Sequence, residues 1–112
     1  LSPDGDNQAT AELRVDDAHL NTNGTLHGGV IATMCDSVMG TAVKESLGGG
    51  KKAATVALTV TYLAPAERGD QVAARAEVRK QGKKIVVVEA DVVRTSDDEA
   101  IAHAVGTFSV IS

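Results

Sequence analysis

The 112-residue chain has almost no aromatic side chains: it contains one tyrosine, one phenylalanine and no tryptophan. The chain therefore has too few aromatic residues to build a stacking platform for nucleic-acid bases, an aromatic cage for a cation or an aromatic belt at a membrane interface. The net charge of −4, from 15 acidic and 11 basic residues, also argues against a nucleic-acid partner. With 43% hydrophobic residues, the chain must build a mainly aliphatic core.

Cysteine is equally scarce, because Cys35 stands alone and cannot form an internal disulfide. No second ligand stands at helical spacing from His27, so we expect no metal site. The apolar runs are far shorter than the ~20 residues that cross a bilayer, and the first residues, LSPDGDN, lack a signal-peptide pattern. The sequence therefore predicts a cytoplasmic protein with no membrane partner.

The pattern of apolar residues predicts a single domain, residues 1–112, with the element order β-α-β-β-β-β. Alternation predicts a strand from Asn7 to Val15, and Gly28 to Leu47 reads as one long helix that is apolar nearly all round and ends at three glycines. Further strands are expected at residues 53–63, 71–79, 84–95 and 100–111. Such elements fit an antiparallel sheet curled around the helix, with a second subunit covering the other face of the sheet.

The segment NTNGTLHGG at residues 21–29 leads directly into the predicted helix. Backbone amides at a helix start are unpaired and lie at the positive end of the helix dipole. Because Gly28 and Gly29 have no side chains, a carbonyl oxygen could reach their amides, as an oxyanion hole requires. A tight corner between loop and helix, without catalytic function, accounts for the same glycines equally well.

Asp36 stands in the middle of the predicted helix, among apolar residues. An unpaired buried carboxylate costs several kcal/mol, so the side chain must be paired, protonated or open to a wet cavity. It is either catalytic or a hydrogen-bonded structural residue. Asp36 is nine positions after His27, which corresponds to about 13 Å of helix rise and places the two residues on roughly opposite faces of the helix. If both serve one reaction centre, they come from two subunits about a two-fold axis, which predicts two sites per dimer.

These motifs occur together in a known family. The run at residues 21–29 is followed by Asp36, by TVALTVTYLAP at residues 55–65 and by KQGK at residues 80–83. From about Asp4 to the end, in order and in spacing, the chain resembles the PaaI-like hotdog-fold acyl-CoA thioesterases of the thioesterase superfamily. The resemblance implies an α+β hotdog fold, in which a five-stranded antiparallel sheet wraps around one long central helix.

The resemblance also implies an activity, the hydrolysis of an aryl or medium- to long-chain acyl-CoA to the free acid and CoA without a cofactor. The carboxylate at Asp36 would activate water or attack the thioester, and the amide at Gly28 would bind the carbonyl oxygen. Asn21 and His27 match positions that shape this corner by holding substrate and backbone. Thr55 matches a hydroxyl residue that positions the attacking water across the dimer.

Contacts to the CoA of the substrate are implied at one aromatic residue and one loop. Tyr62 matches a position along the pantetheine or nucleotide, and the matching loop contains Lys80, Gly82, Lys83 and Lys84, whose charges suit phosphates. A plain solvated hairpin accounts for these lysines nearly as well.

Relatives of this kind often carry a polar or acidic residue where this chain has Ala57, and we expect the smaller side chain to open the acyl pocket. A homodimer is expected as the minimal active unit and a homotetramer as the assembly. Two other functions are open to the same fold, a non-catalytic acyl-CoA-binding module and a dehydratase or hydratase. A non-catalytic binding module has no need of Asp36, and the sequence shows no basic patch through which a ligand sensor would contact DNA. A dehydratase motif has prolines around its histidine, and His27 lacks them.

Overall fold

The central helix follows from the local sequence. In the computed structural model, which describes residues 2–3 and 7–111, α1 spans Gly28–Leu47 as predicted, and it ends at Gly48 with a φ of 62° that favours glycine. Its buried side chains recur every three or four residues, at Ile31, Cys35, Val38, Met39, Ala42 and Val43. The opposite face is open at Thr33 and Ser37. One chain therefore covers only part of a helix that the sequence predicts to be enclosed.

The five predicted strands all form, within a few residues of their predicted ends. They are β2 (Gln8–Arg14), β3 (Ala53–Tyr62), β4 (Gln71–Gln81), β5 (Ile85–Arg94) and β6 (Glu99–Val110). The sequence did not predict the two-residue strand β1 (Ser2–Pro3) or the short 3-10 helix Asp17–His19. All pairings are antiparallel and the strand order is β1-β2-β4-β5-β6-β3.

The sheet packs on the buried face of α1 through small and β-branched side chains, because alternate residues of each strand point inward. Val72, Val88 and Val92 are fully buried. At Gly106 a side chain of the helix lies close to the sheet: a Cβ there would lie 2.7 Å from the sulfur of Met39. This glycine leaves room for the Met39 side chain against β6. None of the described helices combines the length and apolar character that a membrane span needs.

Strand β3 occupies one end of the sheet. It pairs with β6 on one side, and within the described residues no strand pairs with its other side. Its unpaired edge includes Val56, which is 62% exposed. An exposed edge strand of ten residues is a ready template for pairing with another chain.

Candidate active site

Asp36 and Thr55 form the first half of the candidate site. Thr55 Oγ1 donates a 2.7 Å hydrogen bond to Asp36 Oδ1. The carboxylate is half-buried and borders a cleft of about 280 Å³ that Thr33 and Leu58 also line. Of the arrangements that the sequence leaves open for Asp36, the structure shows a side chain that is both paired and open to solvent.

A β-bulge in β3 turns Thr55 toward the helix. The register with β6 shifts between Thr55 and Ala57, so that Val56 is an extra residue. Without this bulge, Thr55 and Leu58 are three residues apart and would point to opposite faces. With it, both line the Asp36 cleft. Ala57 pairs with Thr107, is exposed and does not line the Asp36 cleft, and its expected effect on the acyl pocket stays a prediction.

The start of α1 forms the second half of the site, and its two glycine amides differ. His27 is the N-cap, and its Nδ1 accepts a 2.8 Å hydrogen bond from the Gly29 amide. The ring proton therefore lies on Nε2. The amides of Val30 and Ile31 both donate to the His27 carbonyl. In the described part of the chain, Gly28 is the residue of this first turn whose amide has no protein acceptor.

Tyr62 fixes the peptide that follows the free amide. Its hydroxyl donates a 2.8 Å hydrogen bond to the Gly28 carbonyl. A Cβ on Gly28 would lie 3.2 Å from the tyrosine ring and hydroxyl, which is closer than most Cβ contacts, so a glycine allows this approach. The ring is 53% exposed and borders a cavity of about 330 Å³ together with Gly28 and Asn21. The side chain predicted to meet CoA thus also supports the first peptide of α1.

Asn21 holds the loop that leads into this corner. Its Oδ1 accepts from the amides of Asn23, at 2.9 Å, and Thr25, at 3.1 Å, while its Nδ2 donates to Thr25 Oγ1 at 3.0 Å. The side-chain amide is thereby engaged by the backbone and hydroxyl of its own loop. Of the two roles implied for Asn21, the geometry favours holding the backbone over holding a substrate.

The two halves of the site are apart within one chain. Eight residues of α1 separate Gly28 from Asp36, about 12 Å of helix rise. Gly28 is held at the end of β3 by Tyr62, and Asp36 is held near its start by Thr55. One chain therefore offers a carboxylate and a free amide that cannot touch the same carbonyl group.

The predicted CoA loop is the exposed turn between β4 and β5. Lys80, Lys83 and Lys84 are all exposed, and Lys80 belongs to strand β4, one residue beyond the end that the sequence predicts. The Gly82 amide donates to the Ile85 carbonyl at 2.8 Å, and a Cβ on Gly82 would lie 3.0 Å from that oxygen. A glycine is the residue that closes this turn without strain.

Cys35 lies one residue from Asp36 but points into the core, where it is fully buried. Burial, with the charges of Asp91 and Asp36 adding to it, raises the pKa of the thiol to about 11. The neutral thiol is a poor nucleophile, which leaves the attack to other groups. No cluster of three or more metal-binding side chains occurs among residues 2–3 and 7–111.

Sequence reasoning missed one feature near the site. The basic residues look scattered along the chain, apart from residues 79–84, yet Lys44, Lys51 and Lys52 surround one groove of about 420 Å³. Phe108 and Ile111 line the same groove. The inference that the chain lacks a basic patch is therefore wrong, because strand pairing brings distant lysines together.

Known proteins share this sequence pattern and fold. The model of the thioesterase superfamily matches residues 23–101. Mouse acyl-coenzyme A thioesterase 13 is 33% identical over 92 residues, which cover 82% of this chain and 65% of the relative. The chain thus spans about two thirds of the length of this curated relative and of its human counterpart.

Solved structures agree with this match. The PaaI protein from the phenylacetic acid degradation operon of E. coli superposes with a TM-score of 0.89 and 27% identity, covering 96% of this chain and 75% of its own. A Streptococcus mutans protein bound to acetyl CoA has a TM-score of 0.91 and 26% identity, covering 100% and 86%. The architecture is the predicted hotdog fold, and the chain belongs to the thioesterase superfamily.

Proposed function

We propose that the protein is an acyl-CoA thioesterase that hydrolyses an acyl-CoA to the free acid and CoA. One observation carries the proposal. The Asp36 carboxylate is open to solvent and is fixed by the Thr55 hydroxyl, and the Gly28 amide is free at the positive end of the helix. These are the base and the oxyanion donor that acyl transfer needs. The name of the mammalian relatives and the acetyl CoA of the Streptococcus mutans structure support the same substrate class.

In the proposed reaction, the thioester carbonyl accepts a hydrogen bond from the Gly28 amide. Asp36 takes a proton from water while the water oxygen bonds to the carbonyl carbon, and the developing negative charge lies at the helix N-terminus. The tetrahedral intermediate then expels the CoA thiolate, which receives the proton from Asp36. Direct attack by Asp36 would instead give a mixed anhydride that water hydrolyses. Incorporation of ¹⁸O from labelled water into the Asp36 carboxylate during turnover would identify the second route, in which water attacks the Asp36 carbonyl carbon of the anhydride.

The active unit is proposed to be a homodimer, formed by antiparallel pairing of two β3 edges. An axis near Leu58 places Thr55 of one copy beside Thr61–Tyr62 of the other, because paired positions in such a dimer are equidistant from the axis. Thr55 is hydrogen-bonded to Asp36, and Tyr62 is hydrogen-bonded to Gly28. This pairing thus brings the carboxylate of one copy toward the free amide of the other.

We propose that two dimers associate further into a homotetramer. The sheet face turned away from α1 carries exposed apolar side chains at Ile85 and Val105, which a second dimer would cover. Sedimentation of the purified protein gives the mass directly, and a monomer with full activity would contradict both levels of assembly.

Two groups of side chains are proposed to hold the CoA portion of the substrate. Tyr62 positions the oxyanion corner through Gly28 and offers its exposed ring to the pantetheine arm. The turn with Lys80, Gly82, Lys83 and Lys84 is open to phosphates.

For the acyl group we propose a groove of about 470 Å³ between α1 and β2, which borders His27 and Gly29. Leu13, Val30 and Met34 line it, and the described lining residues include no phenylalanine, tyrosine or tryptophan, which favours a flexible aliphatic acyl group over an aryl one.

A hydrolysis screen tests the function and the acyl preference together. Aryl, short-chain and long-chain acyl-CoA substrates are compared by detection of free CoA thiol, with Asp36→Asn as the matched control because it preserves shape and removes the charge. We expect turnover of aliphatic substrates and a loss of about 10²- to 10⁴-fold in the variant. Equal turnover by both proteins would remove Asp36 from the mechanism, and binding without turnover in the wild type would favour a non-catalytic module.

A further inference from the structure

The sheet face turned away from α1 is charged at its centre. The outward residues of three adjacent strands, β4, β5 and β6, alternate there with the buried residues that face the helix. Six titratable side chains form what we call the charged patch: Arg75, Glu77, Arg79, Glu89, Asp91 and His103. The exposed apolar side chains of Ile85 and Val105 lie on the same face.

His103 lies between two carboxylates of β5. Its Nδ1 donates a 2.7 Å hydrogen bond to Asp91 Oδ1, because a carboxylate can only accept. Its Nε2 is therefore the ring nitrogen that can bind a second proton, and it lies 4.0 Å from Glu89 Oε1. On the other side, the β3 residue that pairs with His103 is Thr61, and neither Thr61 nor Thr59 is charged. A protonated ring would thus meet a negative charge at each of its nitrogens.

Strand β4 supplies the other charges near the histidine. Arg79 lies 2.6 Å from a carboxylate oxygen of Glu77 and 3.0 Å from one of Glu89, so one guanidinium group serves two carboxylates. Arg75 stands opposite Asp91 in the strand register, but no described residue of its own chain forms an ion pair with it. Three carboxylates thus meet two guanidinium groups, and the charged patch keeps one negative charge until the histidine binds a proton.

The charged patch is complementary to itself. Across the paired strands the charge is positive at Arg75, negative at Asp91 and, after protonation, positive at His103. In a two-fold contact, a pair formed by two different residues occurs twice, once in each direction. The unpaired Arg75 of one copy can therefore meet a carboxylate of the other copy, and the reverse. The occupant that fits this face is a second copy of the dimer.

The charge of this face matters once the face is covered. In one chain the side chains of His103 and Asp91 are 40% and 68% exposed, so solvent stabilises their charges. Removal of that solvent costs free energy for each charge that has no partner. With a neutral histidine, every copy brings an uncompensated negative charge to the contact and the copies repel one another. With a protonated histidine, the charged patch is neutral and every carboxylate has a cation beside it.

We propose that two dimers take up protons at His103 when they associate through the charged patch, so that a fall in pH favours the tetramer. Histidine is the side chain that usually gains its proton between pH 5 and 8. The tetramer binds more protons than the separate dimers, so association strengthens as the pH falls and weakens as it rises. Each proton taken up changes the association constant by up to about tenfold per pH unit. This inference rests on the homotetramer proposed above and adds its regulation.

Sedimentation equilibrium near pH 6 and near pH 8.5, at one ionic strength, measures the dimer–tetramer dissociation constant. We expect the wild-type constant to be at least about tenfold lower at the acid pH. His103→Gln cannot gain the charge, so it should behave at both pH values as the wild type does near pH 8.5. His103→Lys is cationic throughout and should associate tightly at both.

Asp91→Asn provides a second test, because it removes the surplus negative charge without a proton. This variant should also associate tightly near pH 8.5. Glu45→Gln is the matched control: it removes one negative charge from α1, away from the charged patch, and should keep the wild-type pH dependence. The lysine and asparagine variants are expected to tighten association, which a folding defect cannot imitate.

Four results would overturn the inference: a wild-type constant that is equal at both pH values, a pH dependence that survives in His103→Gln, an equal effect of Glu45→Gln and Asp91→Asn, or no association beyond the dimer in any of the proteins. The measurement uses no thioester. A protein that assembles as expected but hydrolyses no acyl-CoA would contradict the proposed activity and still support the role of His103.

Discussion

The hydroxyl of Thr55 and the carboxylate of Asp36 are 2.7 Å apart and share a hydrogen bond between the edge strand β3 and the helix α1. The bond occupies Oδ1 of Asp36, and Oδ2 has no protein donor among the described residues. The helix thus supplies the Asp36 carboxylate, and strand β3 orients it through the Thr55 hydroxyl.

Replacing Thr55 tests this orientation. Thr55→Val keeps the shape and removes the donor, so the carboxylate can rotate, and we expect kcat to fall about tenfold, as a hydrogen bond to a charged group implies. Thr55→Ser keeps the hydroxyl and should stay near the wild-type rate. Steady-state hydrolysis of one acyl-CoA by the three proteins gives the comparison, and equal rates for the valine and serine variants would contradict the role.

Gly28→Pro tests the free amide. Proline is well tolerated at the first position of a helix, and the extended backbone of His27, with ψ of 133°, suits a following proline. The substitution removes the N–H with little damage to the helix, and we expect kcat to fall about 10²- to 10³-fold. Gly28→Ala adds a Cβ but keeps the N–H, so it controls for crowding against Tyr62. If both variants lost the same activity, the amide would not be the oxyanion donor.

Tyr62→Phe tests the support of that amide. The change removes the hydrogen bond to the Gly28 carbonyl and preserves the ring. We expect kcat to fall about 3- to 10-fold, with KM nearly unchanged, because one neutral hydrogen bond is lost and the CoA contact of the ring is kept. A rise in KM alone would instead assign Tyr62 to CoA binding.

Mixing two inactive variants tests the shared site. In a dimer of Asp36→Asn with Gly28→Pro, one site carries both defects and the other carries neither. Half of the randomly re-associated dimers are mixed and half of their sites are intact, so we expect about one quarter of wild-type activity. The mixture is unfolded together, refolded and assayed against each variant refolded alone. No recovery would show that each chain builds its own site.

The buried thiol predicts a stability that depends on pH. Burial raises the pKa of Cys35 from 9.0 to about 11, so the folded state holds the proton more tightly than the unfolded state. This contribution is fully present below pH 9 and is lost as the pH rises from 9 through 11. Between pH 8 and 10.5 the free energy of unfolding should therefore fall by about 2 kcal/mol more in the wild type than in Cys35→Ala. Parallel urea titrations of the two proteins measure the difference, and identical pH dependence would refute the burial effect.

The local sequence predicted the elements well, because their signals are local. The helix begins at the glycines after His27 and ends at Gly48, and both limits follow from caps that neighbouring residues form. The order of elements along the chain followed from alternation and turn signals, and the hotdog fold followed from the family motifs. Asp36 and Thr55 were both candidates before the structure, but their direct contact was not predicted.

Features that depend on pairing between distant segments were not predictable. The bulge at Val56 is defined by register against β6, and the sequence of β3 alone does not reveal it. The sequence does not reveal which of the Gly28 and Gly29 amides is free, because this depends on the His27 rotamer. In the structure, His27 Nδ1 accepts the Gly29 amide, which leaves the Gly28 amide free. The groove that Lys44, Lys51 and Lys52 surround also includes Phe108, which is more than fifty positions away in the chain.

The extra residue in β3 has a consequence for comparing this chain with its relatives. A homologue that lacked position 56 would present the same hydroxyl to the helix through a regular strand, so a gap at this point leaves the chemistry in place. With that residue gone, Thr55 and Tyr62 would be six positions apart in a regular strand and would still lie on one face, as they do here across seven positions and the bulge. Alignments that force these strands into equal length will therefore assign the hydroxyl to the wrong column.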